Sequence, residues 1–501
     1  MQAILPIQAR FNKAIPDDSG TLEYRQERIL LIAINDIILQ AGLENPIILY
    51  FQDVARVNKY ISAIGTDKSP RLTCKDMDSA RNNAVLAFRL AILRKFLGMT
   101  LRDFGKQLSH SSMYQWFCGI NGFGVLKIPG KSTIGDLENS LPPELIKKAE
   151  LILFCASQGN DSEILYEPID FSQCYIDSTC ISANIHYPVD WLLLRDSTRT
   201  LMKATIRIRK LGLLNRMPFE PKVFISKMNK LCMEMTHAKG KKGAKKIRKS
   251  VLRKMKKLLK TANTHAIKHF ELLDKRWDEL NITRSKAEQI LKQISDVTAK
   301  VADVIKQAHE RIIGQRSVAN KNKILSIYEN NIHVIVRGKA GASVEFGNTL
   351  YLAEQCDGLI VDWQLFDKQA PADSKLLEKS HKRIVNHTGV QVSLFAGDRG
   401  FDSKANQKYL TSNNIFNGLC PRNPQLLQGR LQEDKFRNAL KRRSQTEARI
   451  SILSNCFCGN PMKQKGFEHR HIHMGLSVMS HNLWVLGRLR LAQRAALQQA
   501  A

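Results

Sequence analysis

Apolar positions fall at helical spacing through the early chain, in Glu23 to Leu43 and Ala84 to Leu97, with Gly42 and Gly98 placed as helix stops. The run Leu90 to Leu97, then Gly98-Met99-Thr100, then Leu101 to Leu108 predicts helix, tight turn, helix, with Thr100 as N-cap. Such a pair is either a helix-turn-helix that enters a DNA groove or two packed core helices. Pro129 and Gly130 break the chain, Ser132 or Thr133 can cap a helix running toward Leu141, and Pro142-Pro143 ends it. Gln173 to Ile181 reads as a buried strand. A long helical stretch follows from Asp190 to Glu329, in which Ile290, Ile294, Val297, Val301, Val304 and Ala308 keep a four-three spacing suited to a helical hairpin or a dimer contact.

The strand pattern resumes at Asn331–Val336, Ser343–Leu352 and Gly358–Phe366, three consecutive strands of an antiparallel sheet. Then come a helix from Asp373 to Asn386, a strand from Gln391 to Ala396, a helix from Ser403 to Leu410 and a strand from Ile415 to Leu419. A helix around Ala439 to Leu453 and a last helical region from Met474 onward complete the pattern. With Cys174 to Ile181 as first strand, this is the element order of an RNase H-like fold carrying a helical insertion between its first two strands.

Acidic residues interrupt the apolar runs at telling places. Asp is depleted in strands, so Asp177, flanked by Tyr175, Ile176 and Ile181, loses hydration unless its charge is needed there. Asp398, in Ala396-Gly397-Asp398-Arg399-Gly400, sits where a sharp turn leaves it at the carboxyl end of a strand, the end at which open α/β sheets place their chemistry. Glu447 lies on a helical pattern, four residues after Arg443. These three carboxylates are the candidate catalytic residues and metal ligands. Asp190, Glu345, Asp362, Asp373 and Asp402 compete with them by pattern. Taken alone, Glu447 reads first as a surface partner of Arg443, and Asp398 equally as a turn residue.

The chain of 501 residues is too long for one core and should form two to four domains. A formal charge of +31 and a pI near 9.8 point to a polyanionic partner. No run reaches eighteen apolar residues and Met1 to Gly20 lacks an apolar signal core, so the expectation is a soluble, cytoplasmic, nucleoid-associated protein without a membrane partner. The ten cysteines have no framework spacing and read as reduced thiols.

Charge concentrates between Lys239 and Lys260, which hold twelve Lys or Arg and no acid. Lys241, Lys242, Lys245 and Lys246 are the phosphate contacts expected there; a solvated face is the plainer alternative. Arg399, Arg443 and Arg449 can hold phosphates beside the carboxylates. Cys456, Cys458, His469, His471 and His473 offer soft metal ligands, although Cys-x-Cys fits structural zinc poorly. DNA contact by Lys463, Lys465, Arg470 and the histidines is the other reading.

Tyr175 to Thr179 with Asn184-Ile185-His186-Tyr187-Pro188-Val189-Asp190 resembles the first-aspartate region of DDE-type transposases of bacterial insertion sequences. Ala396 to Ser403 resembles their second-aspartate region, Arg443-x-x-x-Glu447 their glutamate helix, and Leu93 to Leu141 the helical domain before their core. Some relatives carry Tyr before the arginine and Lys after the glutamate where this chain has Leu440 and Ser454. The resemblance implies a helical DNA-binding or dimerisation domain at 1–165, the first strand of an RNase H-like core at 166–189, a basic helical insertion at 190–329, the rest of the core at 330–460 and a basic helical tail at 461–501. It further implies metal-dependent cleavage and strand transfer of double-stranded DNA (element ends and target) with two Mg²⁺, or Mn²⁺ as substitute, held by Asp177, Asp398 and Glu447, in a homodimer assembled on DNA. A non-catalytic DNA-binding protein on the same scaffold, or a nuclease that cuts without joining, remains the alternative.

Overall fold

The computed structural model describes residues 21–64, 71–120, 126–158, 164–238, 242–339 and 342–500. By its contacts the chain divides into two units, one made of residues 1–181, 349–366 and 370–501, the other of 182–348 and 367–369.

Among the described residues the first unit begins with seven helices, α1 (Leu22–Gln40), α2 (Asn45–Ala63), α3 (Cys74–Phe96), α4 (Leu101–His110), α5 (Ser112–Phe117), α6 (Lys131–Asn139) and α7 (Pro143–Gln158). Thr100 caps α4 by accepting from the Asp103 N–H, as the sequence predicts. The expected cap of α6 by Ser132 or Thr133 does not form. The helix starts earlier, from Gly130, with no side-chain cap, and both hydroxyl residues lie inside it and are exposed. The second half of α3 is buried on every side, Arg94 and Lys95 included, and both cations pair with buried Glu138 of α6. Phe104 and Leu108 of α4 are also buried, so the α3–α4 pair packs into the core.

Among the described residues six strands follow: β1 (Gln173–Ser182), β2 (His333–Lys339), β3 (Ala342–Glu354), β4 (Ile360–Leu365), β5 (Leu394–Gly397) and β6 (Phe416–Leu419). They form a mixed sheet of order β2-β3-β1-β5-β6, with β4 on the second half of β3. β2–β3 and β3–β4 are antiparallel, as expected; β1–β5 and β5–β6 are parallel. Gly397 has to be glycine: a Cβ there would lie 2.9 Å from the Ile176 side chain and 3.0 Å from that of Leu419, prising β5 from both neighbours.

Between β1 and β2 the second unit holds α8 (Asp190–Lys210), α9 (Pro221–His237), α10 (Ala244–Arg276) and α11 (Arg284–Ala308). Leu194, Leu201, Phe224, Met255 and Leu259 fill its core. The four-three seam of α11 is buried within that core, which makes it an intramolecular contact rather than a dimer face.

After β4 the first unit adds α12 (Leu377–Thr388), α13 (Lys404–Ser412), α14 (Pro424–Arg430), α15 (Asp434–Ile452) and α16 (Phe467–Ala500). α16 is longer than its apolar pattern suggests. Its middle, Met474 to Leu486, is almost wholly buried, against α1, α3 and α7 among others. Among the described residues no single helix is long and apolar enough to cross a membrane.

Candidate carboxylate site at the ends of β1 and β5

The site follows from register and parity. β1 and β5 pair from Gln173↔Leu394 to Ile176↔Gly397, so the next residues, Asp177 and Asp398, stand side by side where the ladder ends. Side chains alternate across a strand. Asp177 therefore shares a face with Tyr175, and Asp398 with Ala396. Tyr175 and Ala396 pack on Ala439 of α15, so that helix covers the face on which both acids sit.

α15 is held in rotation by a carboxylate that sequence reasoning missed. Glu354, at the end of β3, is 0% exposed and accepts from Arg442 Nη1 and Thr446 Oγ1, each at 2.8 Å, with Arg449 Nε at 3.5 Å from its other oxygen. Arg442 also donates to the carbonyls of Gln355 and Cys356 and lies 4.6 Å over the Tyr175 ring. Gly358 makes room for Arg449: a Cβ there would meet the guanidinium at 2.1 Å, and its φ of +92° strains any other residue. Residues 442, 446 and 449 lie on one face of the helix, since positions three and four apart are neighbours. The signal for Glu354 is present in the sequence, an acid closing the apolar run Leu350-Tyr351-Leu352-Ala353.

With α15 so fixed, Arg443 and Glu447 face the strand ends. Arg443 Nη2 is 3.6 Å from Asp177 Oδ2 and 3.3 Å from Glu447 Oε1. Asp177 also accepts from the Ser178 N–H at 2.7 Å. Burial pushes the Asp177 carboxyl up to about 6; Arg443 and the Ser178 N–H pull it down, while Asp398 and Glu447 push it further up. Asp398 and Glu447 are thus each within electrostatic reach of Asp177. Asp398 accepts from the Gly400 N–H at 2.8 Å, as a turn aspartate does. Asp373 crowds the same glycine and is the competing acid nearest the site.

The other competitors are engaged elsewhere. Asp190 accepts from Gln307 and Arg311, Asp362 from Ser380 and Arg383, Asp402 from Gln407 and the Arg422 N–H. Glu345 belongs to the part of β3 in the second unit.

Among the expected phosphate ligands, Arg399 is exposed beside Asp398, whereas Arg449 is committed to Glu354. Lys242, Lys245 and Lys246 are exposed at and just before the first turn of α10; Lys241 lies outside the described residues. Cations at a helix N-terminus oppose its dipole. Their placement there costs stability unless an anion offsets it. Arg470 is 1% exposed, which puts it out of reach of DNA. Cys458 faces Met474, His473 bonds the Cys458 carbonyl and His471 stacks on Phe467, so these do not gather into a ligand set. Among the described residues no three His, Cys, Asp or Glu side chains are close enough to hold a metal ion, Asp177, Asp398 and Glu447 included.

Comparison of the chain with protein-family models, curated proteins and solved structures finds no match.

Proposed function

We propose that the chain is a DDE-type DNA transposase with an RNase H-like core, cleaving element ends and joining them to target DNA. The observation that carries this reading is the register that sets Asp177 beside Asp398 at the end of the β1–β5 ladder, with the Glu447 helix closing over them. The strand order, with its antiparallel β3–β4 pair on one side of β1 and parallel β5 and β6 on the other, agrees with such a core.

The donor set fits Mg²⁺ or Mn²⁺. It offers hard carboxylate oxygens, one of them buried and crowded by like charge, a situation that a divalent cation relieves. Asp177, Asp398 and Glu447 would hold the ions; the Glu447 side chain, 68% exposed, has room to turn inward. Bound there, two ions supply activation of the attacking oxygen and stabilisation of the leaving one. The chain's own part is to hold α15, and with it Glu447, over the strand ends through Glu354, and to steer DNA toward them by its charge of +31. Water attacks the phosphodiester at the element end, freeing a 3′-hydroxyl and leaving a 5′-phosphate; that hydroxyl then attacks a target phosphodiester and releases the target strand's own 3′-hydroxyl.

The test uses a labelled duplex carrying the element end, with Mg²⁺ and a second duplex as target. Cleavage and joining, both lost in Asp177→Ala with binding retained, support a transposase. Cleavage without joining makes it a nuclease. Binding without cleavage leaves a DNA-binding protein on the same scaffold.

A further inference from the structure

Along α2 the apolar side chains of Tyr50, Val54, Val57 and Ile61 recur at four-three-four spacing and point outward, 37%, 39%, 57% and 59% exposed, with Leu49 and Tyr60 beside them and Ile64, 68% exposed, just past the helix end. These seven are a third of the 21 large apolar side chains exposed among the described residues, gathered on 16 consecutive positions. The opposite face of the helix, with Gln52, Ala55 and Lys59, is the one turned inward, and Lys59 pairs with Asp76 of α3. α2 is therefore already seated in the fold, and its outer seam is spare.

We propose that this seam is a dimerisation surface, and that its occupant is α2 of a second copy of the chain. A four-three repeat is the geometry by which one helix packs along another. The seam residues are uncharged and the Asp53–Arg56 ion pair at their edge is neutral in sum, although the chain carries +31, so the seam is not built for the polyanion that the rest of the surface attracts. A two-fold contact presents the same patch on both copies, and an uncharged seam is complementary to itself.

At its N-terminal end the seam runs into a cavity of about 490 Å³ lined by Tyr50, Phe51, Val54, Phe467, His471 and Ile472, which can receive the last side chains of the partner helix. A lipid surface fits less well. α1 and α2 together have the length and apolarity of a membrane segment, but they meet at 64°, and α1 buries Leu31, Ile34, Ile37 and Ile38 in the core.

The contact is small. Nineteen helical residues span roughly 28 Å, which buries less than a standard interface of about 1,600 Å². The dimer should be weak alone and strengthened when DNA brings two copies together. This inference stands apart from the catalytic reading, since its readout is mass rather than cleavage.

The full chain is examined by sedimentation velocity across the micromolar range, alone and with duplex DNA, beside Val57→Asp and Ile61→Asp. Wild type is expected to pass from monomer to dimer with concentration. Each variant should shift that transition at least about tenfold upward, with unchanged circular dichroism and melting. Val57, at the middle of the seam, meets its own counterpart in either orientation, so Val57→Cys should cross-link between copies and Ser62→Cys should not. The proposal is overturned by a wild type that stays monomeric throughout, by dimers that survive both aspartates, or by flotation with anionic vesicles that the aspartates abolish. A chain that dimerises through α2 only after residues 1–20 are removed also overturns it, since the seam would then be covered by the chain itself.

Discussion

Arg443 serves two carboxylates at once, 3.6 Å from Asp177 and 3.3 Å from Glu447. Its positive charge sits where the ladder of β1 and β5 stops, between an acid on a strand and an acid on the covering helix. The neutralisation is incomplete, because the Asp177 carboxyl is still held at about 6 by its burial.

Asp177→Asn should abolish cleavage yet stabilise the fold at alkaline pH. A carboxyl raised from about 3.9 to about 6 adds stability fully below pH ~4 and loses it as the pH rises through ~6, a swing of about 2–3 kcal/mol. Denaturant midpoints should therefore put the variant about 1–3 kcal/mol above wild type at pH 8, with the gap closing below pH 4. Equal pH dependence of the two proteins would contradict the burial of that carboxyl.

Protons and Mg²⁺ compete for Asp177. Thermal stabilisation by saturating Mg²⁺ is expected at pH 8, to shrink as the pH falls through about 6, and to be largely lost in Asp177→Asn. An equal shift in the variant would place the ion elsewhere.

Glu354→Ala removes the shared partner of Arg442, Thr446 and Arg449 and should cost about 3–5 kcal/mol, as when one member of a buried ion pair is deleted. Glu354→Gln keeps an acceptor for Thr446 and should cost less. In variants that still fold, the loss of cleavage should exceed the loss of DNA binding, because α15 no longer holds Glu447 in phase. Chemical denaturation and filter binding separate the two effects.

Replacing Lys242, Lys245 and Lys246 by Ala should weaken DNA binding without altering melting. The slope of log affinity against log salt should become shallower by about 0.9 for each phosphate that is no longer neutralised. A slope that does not move would assign these lysines to plain solvation.

Much of this arrangement is legible along the chain, for identifiable reasons. Asp177 and Asp398 stand out because an acid in an apolar run is costly wherever it occurs, and the α11 seam because its period is regular. Glu354 meets the same criterion as Asp177, but its role depends on three residues some ninety positions later. Arg449 reads as a surface cation, and only the turn at Gly358 shows that it points inward. The α6 cap was misplaced because Gly130 needs no side chain to start a helix there. The first turns of α3, Cys74 to Asn83, are mostly polar and leave little periodic trace.

The pairing of β1 with β5 also sets a schedule for synthesis. Cys174 meets Phe395, made roughly 220 residues later, and at ribosomal speed that separation lasts on the order of ten seconds or more. During that time the strand that carries Asp177 has one edge without its final neighbour, while α8 to α11, which pack on one another within residues 190–308, can already assemble. A nascent chain stalled before Leu394 should therefore be an aggregation-prone species that chaperones hold, and the helical insertion is the piece that leaves the ribosome ready-made.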